Sequence, residues 1–411
     1  MIPFFHPIFA IRTNVSMNLS FDNTQNAFAY KSTADLKKAK FLISAIQSPL
    51  MVSLATKATP ILIKYGMPIN GILRSTVFQQ FVGGETLEES ARSTKLLSSY
   101  GVQVILDYGV EAKEGEANFD DVTEHIIEAI DFAATQSNIP FVSVKLTGIA
   151  SQELLEHLNE APRLRSGIHD SESDNAAWER VRERMYAICD VAQEKGVGIL
   201  LDAEETWIQD PIDRLAVELM SVYNKEKVIV FNTYQLYRND RLSFLQLSHR
   251  IAKERGFLLG AKLVRGAYME KERARAQKMG YPSPIHLDKE ATDKDFDAAA
   301  LYCIQNKETI SLLLATHNEQ SNIFIATEME KLSLPNNYDS VHFSQLYGMG
   351  DHITFNMAIK GYNVSKYLPF GPIGEVIPYL MRRAEENSSV NGQTNKELVM
   401  IKRELARRKA K

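Results

Sequence analysis

The sequence predicts an α/β fold, a (β/α)8 barrel, and three observations predict it. After about residue 100 the 411-residue chain settles into short apolar runs of strand length, at 102–108, 141–146, 198–203, 228–232, 258–264, 310–316, 341–346 and 363–369. Continuous apolar runs without an alternating polar face belong to parallel strands covered on both sides. The intervals between runs are mostly long enough for a helix, and 151–197 is long enough for extra segments. That alternation is the pattern of a parallel sheet wrapped by helices. Finally, the runs end in polar or charged residues, and in such a barrel the C-terminal strand ends and the loops after them form the catalytic face. Eight repeats favour a closed barrel over an open doubly wound sheet.

Taken in order, residues 1–100 read as a mostly helical extension. Helical apolar spacing runs over 34–56, and Thr86 opens a second helical stretch as a capping residue. Residues 101–395 hold the barrel, without a Gly/Ser linker or a low-complexity segment, and 396–411 form a tail rich in Lys and Arg. Apolar residues spaced along that tail fit either a helix lying on an acidic membrane surface or a frayed, solvated terminal helix, and the usual behaviour of termini favours the second. The first residues are briefly apolar but lack a basic flank before the run, so a signal peptide is not expected. Met17 is an alternative start.

Composition excludes several classes. The chain is 45% apolar and 24% charged, values typical of a globular domain. No run approaches 18 apolar residues, so no spanning helix is expected. The 47 basic and 51 acidic residues leave a net charge of -4, which argues against a nucleic-acid partner held by bulk charge. Cys189 and Cys303 are the only cysteines, too few for a disulfide framework and pointing to a reducing compartment.

The strand ends carry the chemistry. They read Asp107-Tyr-Gly-Val-Glu111, Val144-Lys145-Leu-Thr147, Asp202-Ala203-Glu204-Glu205, Asn232-Thr-Tyr-Gln235, Lys262-Leu-Val264-Arg265-Gly266-Ala267-Tyr268, Thr316-His317-Asn318 and Gln345-Leu-Tyr-Gly-Met-Gly-Asp351. The eighth run leads through Tyr367-Leu-Pro-Phe-Gly-Pro into a helix bearing Tyr379, Arg382, Arg383 and Glu386. At i, i+3, i+4 and i+7 these four share one helix face. Two adjacent guanidiniums offer forked donors matched to a carboxylate. There is no GxGxxG after a strand, no phosphate-binding P-loop and no HExxH. His317 has no partner at ligand spacing, so no metal is expected. Lys145, Lys262, Arg265, Arg382 and Arg383 converge on one rim, which suits an anionic ligand larger than one carboxylate. Small residues at Gly266-Ala267 let backbone N–H groups approach a phosphate, and equally fit a plain tight turn.

Together these motifs resemble the proline dehydrogenase family over about two thirds of the chain, from Asp107 to Asn387. The resemblance implies a distorted (β/α)8 barrel that binds FAD without a dinucleotide fold and is capped at its mouth by the last helix. It implies oxidation of L-proline to 1-pyrroline-5-carboxylate by hydride transfer from C5 to flavin N5, the first step of proline catabolism, with electrons passed to a membrane quinone. Arg382, Arg383 and Lys145 are then expected at the proline carboxylate, Tyr367 and Tyr379 around the ring, and Asp202 and Lys262 as the catalytic pair. Ala203, Gln235, Val264, Arg265, Gly266, Ala267, Tyr268, Thr316, His317, Asn318, Gln345 and Glu386 are expected to hold FAD, and Glu111 to gate the site by pairing with Arg382. Lys262 departs from the arginine of many bacterial members. Retention of Tyr367 favours proline over 4-hydroxyproline, whose dehydrogenases tend to have a smaller residue there. The chain is short for the bifunctional proline-utilisation flavoproteins, so a monofunctional enzyme is expected, cytoplasmic and with peripheral contact at the inner face of a membrane. A hydroxyproline-preferring dehydrogenase remains the alternative within the family. Outside it stand a Schiff-base lyase or aldolase using Lys145 or Lys262, and a silent amino-acid sensor.

Overall fold

The computed structural model describes residues 19–46, 70–109, 114–160, 172–389 and 393–410. Eight parallel strands close a barrel in chain order: β1 Gln103–Tyr108, β2 Phe141–Val144, β3 Gly198–Leu201, β4 Val230–Gln235, β5 Leu259–Val264, β6 Ile310–Ala315, β7 Val341–Leu346 and β8 Val364–Phe370. Closure is made by β1 against β8, with Ile105 opposite Tyr367 and Asp107 opposite Pro369. Each apolar run forms a strand. The largest shift is in β4, which continues past Asn232 through Gln235 because its polar side chains find partners. Asn232 donates to Asp213, Thr233 to the Leu201 carbonyl and Gln235 to the Glu204 carbonyl.

Helices α1 Thr33–Ile46 and α2 Leu87–Ser98 precede the barrel. Thr86 caps α2 by accepting the Glu89 N–H, which satisfies one of the free donors at a helix start. Around the barrel run α3 Glu116–Ala134, α4 Gln152–Glu160, α5 Glu172–Lys195, α6 Gln209–Tyr223, α7 Arg241–Arg255, α8 Met269–Met279, α9 Lys289–Gln305, α10 Glu319–Lys331 and α11 Asp351–Ile359. Both α4 and α5 occupy the long β2–β3 interval. After β8 come α12 Ile377–Ser389 and α13 Gln393–Lys409.

Most of the core lies between strands and helices, where Val104, Val142, Ile199, Val230, Ala261, Leu312 and Phe343 meet Ile126, Ile188, Leu215, Leu245 and Ile325. Each fully buried aliphatic or phenyl side chain contributes about 1.5–3 kcal/mol. The barrel interior is a second, smaller cluster of Ile105, Phe141, Leu200, Phe231, Leu313 and Tyr367. Because side chains alternate along a strand, the residues two positions on from this apolar floor also face inward. Four of the six are polar, Asp107, Ser143, Asp202 and Thr233, and the other two are Ala315 and Pro369. The floor excludes water, and the layer above it carries charge.

The C-terminal segment differs from the expected frayed helix. On α13, Leu398, Met400 and Ile401 pack with Phe28, Leu36, Ala39 and Ile43 in a separate apolar cluster. Glu404 is buried, accepts from Arg407, Arg408 and Thr24, and so draws the basic side chains inward. The helix bearing the arginine pair is therefore α12, with a packed helix after it. Phe78, Phe81 and Val82 from the N-terminal extension, with Leu42 of α1, form an apolar bed for Tyr379 and Leu380 of α12. No helix among the described residues is long and apolar enough to cross a membrane.

Candidate active site

Five strands deliver a hydrogen-bonded charge network to the barrel centre. Asp202, just past β3, is its hub. One carboxylate oxygen accepts Lys262 of β5 at 2.5 Å and the Ser143 hydroxyl of β2 at 2.8 Å. The other accepts the Tyr367 hydroxyl of β8 at 2.8 Å. Lys145 stands 3.6 Å from that second oxygen, 3.3 Å from the Tyr367 hydroxyl and 2.7 Å from Asp107 of β1. The Tyr367 ring lies 5.1 Å from the Lys262 ammonium and 5.9 Å from that of Lys145, within range of cation–π attraction.

Protonation states follow from these contacts. Burial raises the Asp202 carboxyl, but Lys262 and Lys145 outweigh it and hold it down at about 2. For Lys145 burial lowers, while Asp107 and Asp202 together lift the ammonium well above its usual range. Burial, reinforced by Asp107 and Asp202, pushes the Tyr367 hydroxyl well up. At neutral pH the centre thus holds an ionised Asp202, a protonated Lys145 and a neutral tyrosine that donates. This disfavours the Schiff-base alternative, which needs a lysine freed of its proton. Lys145 is held protonated, and Lys262 is ion-paired to a carboxylate.

A second group lies at the β5, β6 and β7 ends. Arg265 donates to Asp293 at 2.6 Å, to Thr316 at 2.6 Å and to Ser321 at 3.0 Å, and its guanidinium sits 4.2 Å from the Phe296 ring centre. Four contacts fix a long side chain that otherwise loses much entropy on ordering. Gly266 then turns with φ 134°, and an added Cβ would stand 2.4 Å from the Tyr237 ring, so only glycine fits. Gly266 and Ala267 remain exposed. Asn318 caps α10 by accepting the Gln320 and Ser321 N–H groups. Gln345 bridges Thr316 to Thr354. His317 accepts the Leu346 N–H at Nε2, and burial, with Lys366 and Arg383 adding to it, pushes its pKa down to about 3. The ring is therefore neutral and carries its proton on Nδ1. Gly350, with φ 63°, lets that edge lie close, since a Cβ there would be 2.7 Å from Nδ1.

On α12, the Arg383 guanidinium lies 5.3 Å from the Tyr379 ring centre. Arg382 acts electrostatically on Lys145 and Tyr268, and Arg383 on His317. The arginine pair therefore reaches both groups, with Arg382 toward the barrel centre and Arg383 toward the β6–β7 side. Tyr379 itself is buried in the apolar bed described above.

Of the residues singled out from sequence, Lys145, Asp202, Lys262 and Tyr367 meet in the first group. Arg265, Thr316, His317, Asn318 and Gln345 meet in the second, with Val264, Gly266, Ala267 and Tyr268 flanking Arg265. Gln235 is buried and tied to the Glu204 carbonyl, and Ala203 is half-buried beside Asp202. Glu111 and the side chain of Glu386 lie outside the described residues. Sequence reasoning did not single out three others as site residues. Asp107 and Ser143 carried only a strand-end position and the alternation of an inward face. Glu204 lay inside a quoted motif; it accepts both the N–H and the hydroxyl of Thr147, and burial pushes its pKa up to about 7.

Comparison with known proteins gives one consistent match. A model of the family described as "Proline dehydrogenase" matches residues 90–396. The carbapenem biosynthesis protein CarD of Pectobacterium carotovorum subsp. carotovorum is 35% identical over 338 residues, covering 82% of this chain and 86% of the relative. The mitochondrial proline dehydrogenase 1 of Dictyostelium discoideum is 30% identical over 427 residues, covering 94% and 74%. The hydroxyproline dehydrogenase of Xenopus laevis is 33% identical over 365 residues, covering 82% and 78%. In fold, the chain resembles the crystal structure of proline utilization A from Bdellovibrio bacteriovorus inactivated by N-propargylglycine, with a TM-score of 0.67 at 21% identity. That match covers 90% of this chain and 38% of the other, so the chain spans well under half of that longer protein.

Proposed function

The chain belongs to the proline dehydrogenase family, and from that premise we propose that its barrel rim binds L-proline and oxidises it to 1-pyrroline-5-carboxylate with FAD as the hydride acceptor. The observation that carries the reading is the balanced network of Asp107, Lys145, Asp202, Lys262 and Tyr367 beneath the helix of Arg382 and Arg383.

The residues present fit a flavin. Arg265 is a fixed cation beside an exposed Gly266-Ala267 turn, and a cation next to a small-residue turn suits a pyrophosphate. Gln235, Lys262, Thr316, His317 and Asn318 are the polar groups for the remaining edges, with Ala203, Val264, Tyr268 and Gln345 around them. FAD, when bound, supplies the two-electron acceptor.

The chain's own residues do the rest. Arg382 and Arg383, with Lys145, bind the substrate carboxylate and so select which ring carbon faces the acceptor. Tyr367 packs against the ring, its hydroxyl held by Asp202. Hydride can leave C5 only as the nitrogen lone pair forms the C=N bond, so the amine must already have lost its proton. The cations at the site favour that deprotonation. We further propose that electrons pass to a membrane quinone at a peripheral contact, with Glu111 pairing with Arg382 across the mouth.

The visible spectrum of the purified protein, followed by anaerobic addition of L-proline, tests the reading. A yellow protein bleached by L-proline but not by pyrrolidine, which lacks the carboxylate, supports it. A protein that stays colourless after incubation with FAD overturns it. Faster bleaching by 4-hydroxyproline than by proline would move the assignment to the hydroxyproline branch.

A further inference from the structure

Asp107 is almost completely buried, with 1% of its surface exposed. One of its oxygens meets Lys145 at 2.7 Å, and the other, Oδ2, is buried without a hydrogen-bond partner. A buried carboxylate oxygen left unpaired is costly, so Lys145 is the contact that compensates this charge. The groups that share the pocket are Lys145 just past β2, Asp202 past β3, Lys262 of β5, Tyr367 of β8 and, from α12, Arg382.

We propose that Asp107 is a positioning residue for the reaction: it holds the Lys145 ammonium back from Asp202 and keeps the centre charge-balanced as the substrate carboxylate arrives. Lys145 already stands 3.6 Å from Asp202. Released from Asp107, it closes on the Asp202 oxygen that accepts the Tyr367 hydroxyl, and the two donors then compete for it. The Tyr367 ring packs on Ile105, Phe141, Leu200, Phe231 and Leu313, so the ring keeps its place in the pocket wall while the lost hydroxyl contact loosens its aim at the substrate and lowers kcat. Removing the Asp107 charge also leaves the pocket one unit more positive, which promotes loss of the substrate's amine proton and strengthens its hold on a carboxylate.

This inference rests on the proline reading and is tested on the FAD-loaded enzyme with Asp107→Asn and Asp107→Glu. In Asp107→Asn the ascending limb of the kcat–pH profile is expected to move to lower pH by on the order of one unit. Binding of tetrahydrofuran-2-carboxylate, the oxygen isostere of proline, measured by calorimetry, tightens severalfold. Asp107→Glu returns both toward wild type. A merely structural role lowers kcat without moving the limb and weakens binding of the isostere, and that result overturns the proposal. If Asp107→Asn does not fold, Asp107→Ser, with its smaller polar side chain, carries the test, with the limb expected at lower pH and an unmoved limb overturning it. A wild-type protein that proline does not reduce overturns the functional reading itself. A proline-active wild type with unmoved limbs in the variants overturns only the role of Asp107.

Discussion

Lys366 of β8 and Asp351 of α11 meet at 2.9 Å with both side chains fully buried. Lys366 also donates to the Met349 carbonyl, and Asp351 takes Lys31 at 3.0 Å and the Tyr30 hydroxyl at 2.7 Å. The next residue on the same strand, Tyr367, faces the barrel centre. One strand thus ties the N-terminal extension to the outside of the barrel and serves the site on its inside.

Breaking this pair is expected to be expensive. Lys366→Met leaves Asp351 buried with one cation fewer and should cost about 3–5 kcal/mol. The double variant Lys366→Met with Asp351→Asn should cost less than the sum of the singles, because no unpaired charge remains. Denaturant midpoints of the three variants check this, and a single variant within about 1 kcal/mol of wild type contradicts it.

Glu204 sets a pH dependence of opposite sign to most carboxylates. Its folded pKa is raised to about 7 by burial, so its contribution is fully present below the unfolded value near 4.5 and is lost as pH rises through 7. Glu204→Gln keeps the shape and removes the titration. Relative to wild type, the variant should gain about 2–3 kcal/mol between pH 5 and pH 8, read from urea unfolding at the two pH values. No relative gain would mean that Glu204 is ionised in the fold without penalty.

The arginine pair should act on binding. Arg382→Met or Arg383→Met is expected to raise KM for proline by at least about thirtyfold, the lower end of the 2–5 kcal/mol lost with one partner of a desolvated charge pair. Steady-state kinetics with unchanged thermal unfolding is the check. A change in kcat alone would assign the pair to another role.

Tyr367 separates hydroxyl from ring. Tyr367→Phe removes the donor to Asp202 and should lower kcat by on the order of tenfold while keeping the preference for proline. Tyr367→Ser empties the ring volume and should shift the kcat/KM ratio toward 4-hydroxyproline by on the order of tenfold. Competition assays with the two substrates decide, and an unchanged ratio in Tyr367→Ser removes Tyr367 from the specificity argument.

Legibility in the sequence followed physical range. Strands such as Gly198–Leu201 were readable because a parallel strand buried on both faces is apolar throughout, a local property. Lys145, Asp202 and Lys262 were readable because strand ends in a barrel face its mouth. Ser143 was not, because a serine within an apolar run carries no mark of which face it takes. The end of β4 was misjudged because Asn232, Thr233 and Gln235 look like a loop until Asp213 and two carbonyls satisfy them. The basic segment after 396 looked solvated for the same reason: its partners, Thr24 and Lys31, are hundreds of residues away.

By itself, the sequence determined the barrel, its strand order and the rim that carries polar residues, because periodicity and strand-end position are written into neighbouring residues. It also carried the resemblance that the family match bears out. Only the tertiary structure decided that Lys145 is shared between Asp107 and Asp202, that His317 is neutral, and that α1 and α13 clasp one another beside the barrel. Those outcomes depend on charges and apolar faces brought together from distant parts of the chain, where burial multiplies the strength of each contact and no local pattern records it.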